Sequence, residues 1–212
     1  MYAPREEGEA ARWGKREMSR VGRYAVLEAV EAMYTTSDAL DPSRWLAQVL
    51  ERVHACVDGA VGGFAYAYDI SGPPESWSIS RPLLYSAPPE MGEHIYESFH
   101  AAPPESRSQI LPKLGPAGTL STATGVLLTS FGEGVAERLG VLDAVHVNGV
   151  DADDRGILLS LTVPEPRRLA PLAQRRFRML AAHLTSARRL LLGRHTERPE
   201  VIFETTGKVS HV

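Results

Sequence analysis

The order of apolar patterns along the chain predicts an α+β domain. An antiparallel sheet should carry the first and last helices on one face and an irregular, helix-containing crossing on the other. Three observations lead there. Segments near both ends repeat apolar residues at spacings of three and four, several segments between them alternate at every second residue, and residues 86 to 121 do neither. With 212 residues, 43% of them hydrophobic, the chain can bury a full core and corresponds to one domain with extensions.

Residues 1–20 are charged and aperiodic, a flexible leader; 21–195 carry the domain; 196–212 read as a linker or the start of a following segment. Leu27, Val30 and Tyr34, with Val26 and Met33 beside them, mark a first amphipathic helix. Asp41-Pro42 starts a second, because Asp accepts from free amides and Pro fits the first turn. Its buried face is Leu46, Val49, Leu50, Val53 and Val57, and Asp58-Gly59 ends it. Gly62 to Ile70 then alternates aromatic with Gly or Ala, a strand with one flat and one bulky face. Gly63, Ala65 and Ala67 should lie under helices, leaving Phe64, Tyr66 and Tyr68 to line a cavity. Trp77 to Ser80 begins a second strand.

Pro88, Pro89, Pro103, Pro104, Pro112 and Pro116 punctuate the crossing, where only Glu90 to His100 looks helical. Such a crossing often covers a binding site. Thr124 to Phe131 is expected as a strand and Glu133 to Leu139 as a short helix. Leu142 to Asn148 and Ile157 to Val163 form a hairpin around Val150 to Gly156. Leu169 to Leu192 is a long helix with a stripe at Leu169, Ala173, Phe177, Leu180, Leu184, Ala187 and Leu191. Val201 to Val209 reads as two short strands around a Gly turn.

Composition narrows the function classes. A formal net charge of −3 argues against a dedicated nucleic-acid binder. One cysteine, Cys56, leaves no internal disulfide and suits a reducing compartment. No apolar run is long enough to span a membrane, and the N-terminal charges do not fit a signal peptide. The expected location is the cytoplasm.

The order of elements from Val21 to Gly193 resembles the GAF domain. The likeness is carried by the first helix leading through Asp58-Gly59 into Gly63–Ile70, by the hairpin Val145–Gly149 to Gly156–Leu161, and by the closing helix around Ala181-Ala182-His183-Leu184. The tail Val201 to Val209 is similar to the segment preceding the DNA-binding helices of bacterial regulators with a LuxR-type helix-turn-helix. The resemblance implies a sensory domain that controls transcription, with DNA reached only through a helix-turn-helix region that this chain does not contain. It names no ligand or cofactor. The NKFDE-like set of cyclic-nucleotide-binding GAF domains is absent, and Cys56 stands in the wrong place for bilin attachment.

Candidate sites follow. Phe64, Tyr66, Tyr68, Trp77 and Tyr85, with His94 and Phe99 from the crossing helix and His146 from the hairpin, are the expected small-molecule wall; a plain aromatic core is the competing reading. Leu27, Val30, Tyr34, Phe177, Leu180, Leu184 and Leu191 are the expected homodimer surface, because the last stripe is longer than one small sheet needs. Glu93, Glu97 and His100, or Glu90, His94 and Glu97, share a helical face, but no further ligand accompanies them and no metal site is assigned. Asp151 to Gly156 lacks the bidentate Glu of a calcium loop, since Thr162 stands there, and reads as a turn. His54 and Cys56 point different ways on a helix. Nine arginines lie between Arg167 and Arg198 against one acid, Glu197, and read as the solvated side of the last helix. The expected function is a ligand-binding sensory domain signalling through a helical dimer, and not an enzyme. A ligand-free dimerisation or interaction scaffold and an unrecognised small-molecule enzyme are the alternatives.

Overall fold

The computed structural model describes residues 16–18, 22–35, 41–108, 111–125, 140–195, 202–203 and 209–210. Its main sheet is entirely antiparallel. Strands β3 (Ser78–Ile79) and β4 (Leu83–Tyr85) share one edge by pairing with successive parts of β2 (Gly62–Asp69). Beyond β2 come β7 (Arg155–Val163), β6 (Asp143–Val150) and β5 (Ala117–Thr119).

Helices α1 (Arg23–Thr35), α2 (Pro42–His54) and α6 (Pro171–His195) cover one face. They pack on Ala65, Val145, Val147, Leu159 and Leu161. The flat side of β2 lets them approach. A Cβ on Gly63 would stand 2.9 Å from both Leu161 Cδ1 and the Ser160 carbonyl oxygen. Asp41 caps α2 by accepting the Ser43 amide at 2.8 Å, with Pro42 in the first turn, as the sequence predicts. Trp45 is buried there as well, and its indole donates to the Met33 carbonyl at 3.1 Å, which satisfies its one donor.

The other face carries Phe64, Tyr66, Tyr68 and Leu158 under α3 (Pro89–Ala101), α5 (Leu120–Thr124) and the segment around Leu111 and Leu114. The short helix α4 (Pro104–Arg107) links α3 to that segment. The predicted arrangement of helices on one face and crossing on the other is the one observed.

Several elements differ from expectation. Arg16–Met18, assigned to the leader, forms strand β1, parallel to β8 (Arg167–Leu169). Thr124 ends α5 instead of starting a strand, and Gly125 follows in the left-handed region at φ 72°. The rest of that expected strand and the helix Glu133 to Leu139 lie outside the described residues. Strands β9 (Ile202–Phe203) and β10 (Val209–Ser210) pair antiparallel, as the tail suggested.

The helix α1 is rotated from the predicted phase. Val26, Ala29 and Met33 are buried, whereas Leu27 and Tyr34 are 53% and 38% exposed and Val30 is half-buried. More apolar residues exist on this helix than one face can use, so spacing alone did not choose between them. The expected long helix starts at Pro171, with Leu169 on β8, and the rest of the stripe packs into this chain's own core. Phe177, Leu180 and Leu184 are fully buried in this chain's own core, and Leu191 packs against it. Phe177, Leu180 and Leu184 cannot form a surface, while Leu191 is half-buried.

Candidate ligand site on the aromatic face of the sheet

Strand register decides which side chains meet. Phe64 opposes Ser160, which opposes His146, which opposes Gly118. The next row is Tyr66, Leu158 and Asn148. Side chains two residues apart share a face, so these two rows, with Tyr68 beyond them, make one continuous wall. Across it β2 and β6 are about 10 Å apart, the span of two strand spacings, with β5 one spacing beyond. The rings of Phe64 and Tyr66 stack with centroids 6.1 Å apart. Gly118 is bare for a reason: its Cβ would come within 3.1 Å of His146 Cε1, so the absent side chain makes room for the imidazole.

The polar groups on this wall divide into those with partners and those without. Tyr68 donates to Asn148 Oδ1 at 2.7 Å, and Asn148 Nδ2 donates to the Leu114 carbonyl at 3.1 Å. The Asn148 amide reaches the Pro116 carbonyl, so this one residue ties the sheet to the covering segment. Burial pushes the Tyr68 phenol up to about 12, partly offset by its bond to Asn148.

His146 is the contrast. It is 3% exposed, and neither ring nitrogen has a hydrogen-bond partner among the described residues. Burial lowers its pKa from 6.5 to about 4. The Gly115 carbonyl nearby opposes that in part, without reaching hydrogen-bond geometry. The imidazole is therefore neutral across the physiological range, with one donor and one acceptor to offer in either tautomer. The Tyr66 side chain is buried on the same wall, and burial with Tyr68 beside it raises its phenol pKa. A buried polar group without a partner costs about 1–3 kcal/mol, so the imidazole is a place where a bound molecule gains by supplying one.

The cover is α3. Met91, Ile95 and Phe99 turn inward from it onto the aromatic wall. Its outer side is clamped: Arg81 makes a forked pair with Glu93 at 2.7 and 2.8 Å and lies over the Tyr96 ring. At the far end Arg107 donates to the carbonyls of His100 and Ala102 and lies over Phe99.

Of the predicted wall, Phe64, Tyr66, Tyr68 and His146 share this face, and Phe99 closes on it from α3. His94 is half-buried on α3, with Nε2 3.3 Å from Ser98 Oγ. Two members fall elsewhere. Tyr85 opposes Gly63, not Phe64, so it faces the helices and packs at a tilt against His54, ring centroids 4.9 Å apart. Trp77 is buried at the 70–76 turn, donating to the Gly72 carbonyl at 2.7 Å, outside the aromatic cluster. Asn148, Ser160 and Leu158 were not anticipated. The signal was present: His146 and Asn148 alternate with valines, and Ser160 and Thr162 alternate with leucine and valine.

The remaining candidates have structural partners. Among the described residues no group of three His, Cys, Asp or Glu is placed to hold a metal ion, and Glu93 is engaged by Arg81. Asp151 shapes the hairpin turn by accepting the amides of Asp153 and Arg155, and its second oxygen pairs with Arg188 at 2.7 Å. Cys56 is buried on the helix side with its thiol pushed up to about 12. No helix among the described residues is long and apolar enough to cross a membrane.

No family model and no curated protein matches the chain. The GAF resemblance therefore stays one of element order. Among solved structures the chain is similar to the N-acylhomoserine-lactone-dependent LuxR-family transcription factor CepR2 from Burkholderia cenocepacia. The likeness has a TM-score of 0.49 and 15% identity, covering 82% of this chain and 99% of that one. A similarity of that size carries no inference about function.

Proposed function

We propose that this chain is the sensory domain of a regulator, taking up a neutral small molecule between the aromatic wall and α3. The observation that carries the reading is His146, a buried neutral imidazole with no hydrogen-bond partner at either nitrogen among the described residues, on an uncharged and largely aromatic wall. Phe64, Tyr66, Leu158, Ser160, His146 and Asn148 bring no charge to the site, which selects against ions because nothing there would offset their desolvation. The fitting ligand has an apolar body against Phe64, Leu158 and Phe99 and a hydrogen-bonding head, such as an amide, ester or hydroxyl, at His146 and Tyr66.

The output would leave through the β6–β7 hairpin. Asn148 receives the Tyr68 hydroxyl, and the next residue, Gly149, lies so close to α6 that a Cβ would stand 3.1 Å from Leu184 and Thr185. Arg188 of α6 then holds Asp151 in a pair whose side chains are 14% and 13% exposed. A ligand that reorders the wall thereby biases α6, and transcription is regulated through a DNA-binding domain attached to it or to a partner.

Thermal unfolding in the presence of neutral amides, alcohols and esters with apolar tails tests this. Binders should raise the melting temperature of the native chain, and His146→Leu and Tyr66→Phe should each lose about tenfold or more in affinity, one hydrogen bond's worth. Equal shifts in native and variant chains, or equal binding of the matching carboxylates, would overturn the site.

A further inference from the structure

We infer that a second copy of this chain seats its α1 helix in the groove between α1 and α6, so that each copy offers both the helix and the groove. This goes beyond the ligand site and stands whether or not that site binds anything. The groove is lined by Val26 and Leu27 of α1 and by Leu172, Arg175, Arg176 and Met179 of α6, and encloses about 560 Å³. Its floor is apolar and its α6 wall is cationic. Leu27 is 53% exposed, Leu172 56% and Met179 41%, a run of apolar surface on adjoining helices.

Charge complementarity identifies the occupant. The outward side of α1 carries Tyr24, 81% exposed, with Leu27, Glu28 and Glu31, all exposed. Residues three, four and seven apart lie on one helical face, so this is an apolar stripe edged with acid. It matches the groove in kind: aromatic and aliphatic side chains for the floor, two carboxylates for the Arg175 and Arg176 wall. Donor face and acceptor groove belong to the same two helices, so one two-fold axis satisfies both contacts at once, as an isologous interface requires. Within each chain α1 is already fixed against α6 by the Tyr34 hydroxyl at 3.0 Å from His183 Nδ1, which keeps the groove preformed. The interface so defined uses Tyr24, Leu27 and Met179, not the buried α6 stripe.

Charge reversal with mixing tests it. One variant carries Glu28→Arg and Glu31→Arg, the other Arg175→Glu and Arg176→Glu, each verified as folded by circular dichroism. Sedimentation of the native chain at high micromolar concentration should show a dimer. Each variant alone should weaken association at least tenfold, because both of its contacts become like-charged. The two variants mixed in equal amounts should restore the dimer, since acid then meets base at both contacts. Met179→Lys, which puts a charge on the apolar floor, should weaken association without rescue by the Glu28→Arg, Glu31→Arg variant. A monomeric native chain, dimers unchanged by both reversals, or a mixture no more associated than its components would each overturn the proposal.

Discussion

Replacing His146 with Leu removes a titrating group that the fold holds neutral, and the consequence can be worked through. In the unfolded chain the imidazole takes a proton near pH 6.5, whereas in the folded chain it does so only near pH 4. Between those values the unfolded state binds more protons, so stability rises with pH through that window and falls as the solution is acidified. A difference of about 2.5 units corresponds to about 3 kcal/mol at 1.36 kcal/mol per unit. The native chain should therefore lose about 3 kcal/mol more than His146→Leu between pH 6.5 and pH 4. Carboxylates and His54, whose pKa burial also lowers, titrate in both proteins and cancel in the difference. At pH 7 the substitution should cost little or stabilise slightly, because it removes unpartnered polar atoms from an apolar wall. Urea unfolding at half-unit pH steps gives both curves. Parallel curves would refute the placement of a neutral, unsolvated imidazole on this face.

Other outcomes follow from the packing. Leu184→Asp should cost several kcal/mol or prevent folding, since it strands a charge in the core, while Met179→Asp at a 41% exposed position should leave chemical denaturation within about 0.5 kcal/mol of native. Gly63→Ala should cost about 1–3 kcal/mol by urea unfolding, because the new methyl meets a backbone oxygen at 2.9 Å that cannot step aside. A double-mutant cycle on Asp151→Asn and Arg188→Met should return a coupling of about 1–3 kcal/mol, well above an exposed pair such as Arg81–Glu93. Hydrogen exchange should be slowest across β6 and β7 and faster through residues 86–108, where prolines remove donors and the cover is short helices.

The layer arrangement was legible because two signals were strong. Strict alternation in Gly62–Asp69 separated a flat face from an aromatic one, and the α6 stripe named all the residues that the core buries from that helix except Ala181. What failed depends on distances the sequence does not encode. Tyr85 went to the wrong face because β4 is three residues long and its register on β2 shifts every side chain by one step. The α1 phase failed because Tyr24, Leu27 and Tyr34 are apolar yet lie outside the core, where they serve the surface instead. The α6 stripe was read as a dimer seam from its length alone, whereas the sheet and α1 consume it within one chain.

The most direct test of the account is a native mass spectrum of the purified chain after exposure to a cell extract, compared with a denaturing spectrum of the same sample. The account predicts a small-molecule adduct that vanishes on denaturation, is lost in Tyr66→Phe and His146→Leu, and persists in Met179→Lys. An adduct retained equally by both wall variants, or a bare mass from every extract tried, would contradict it.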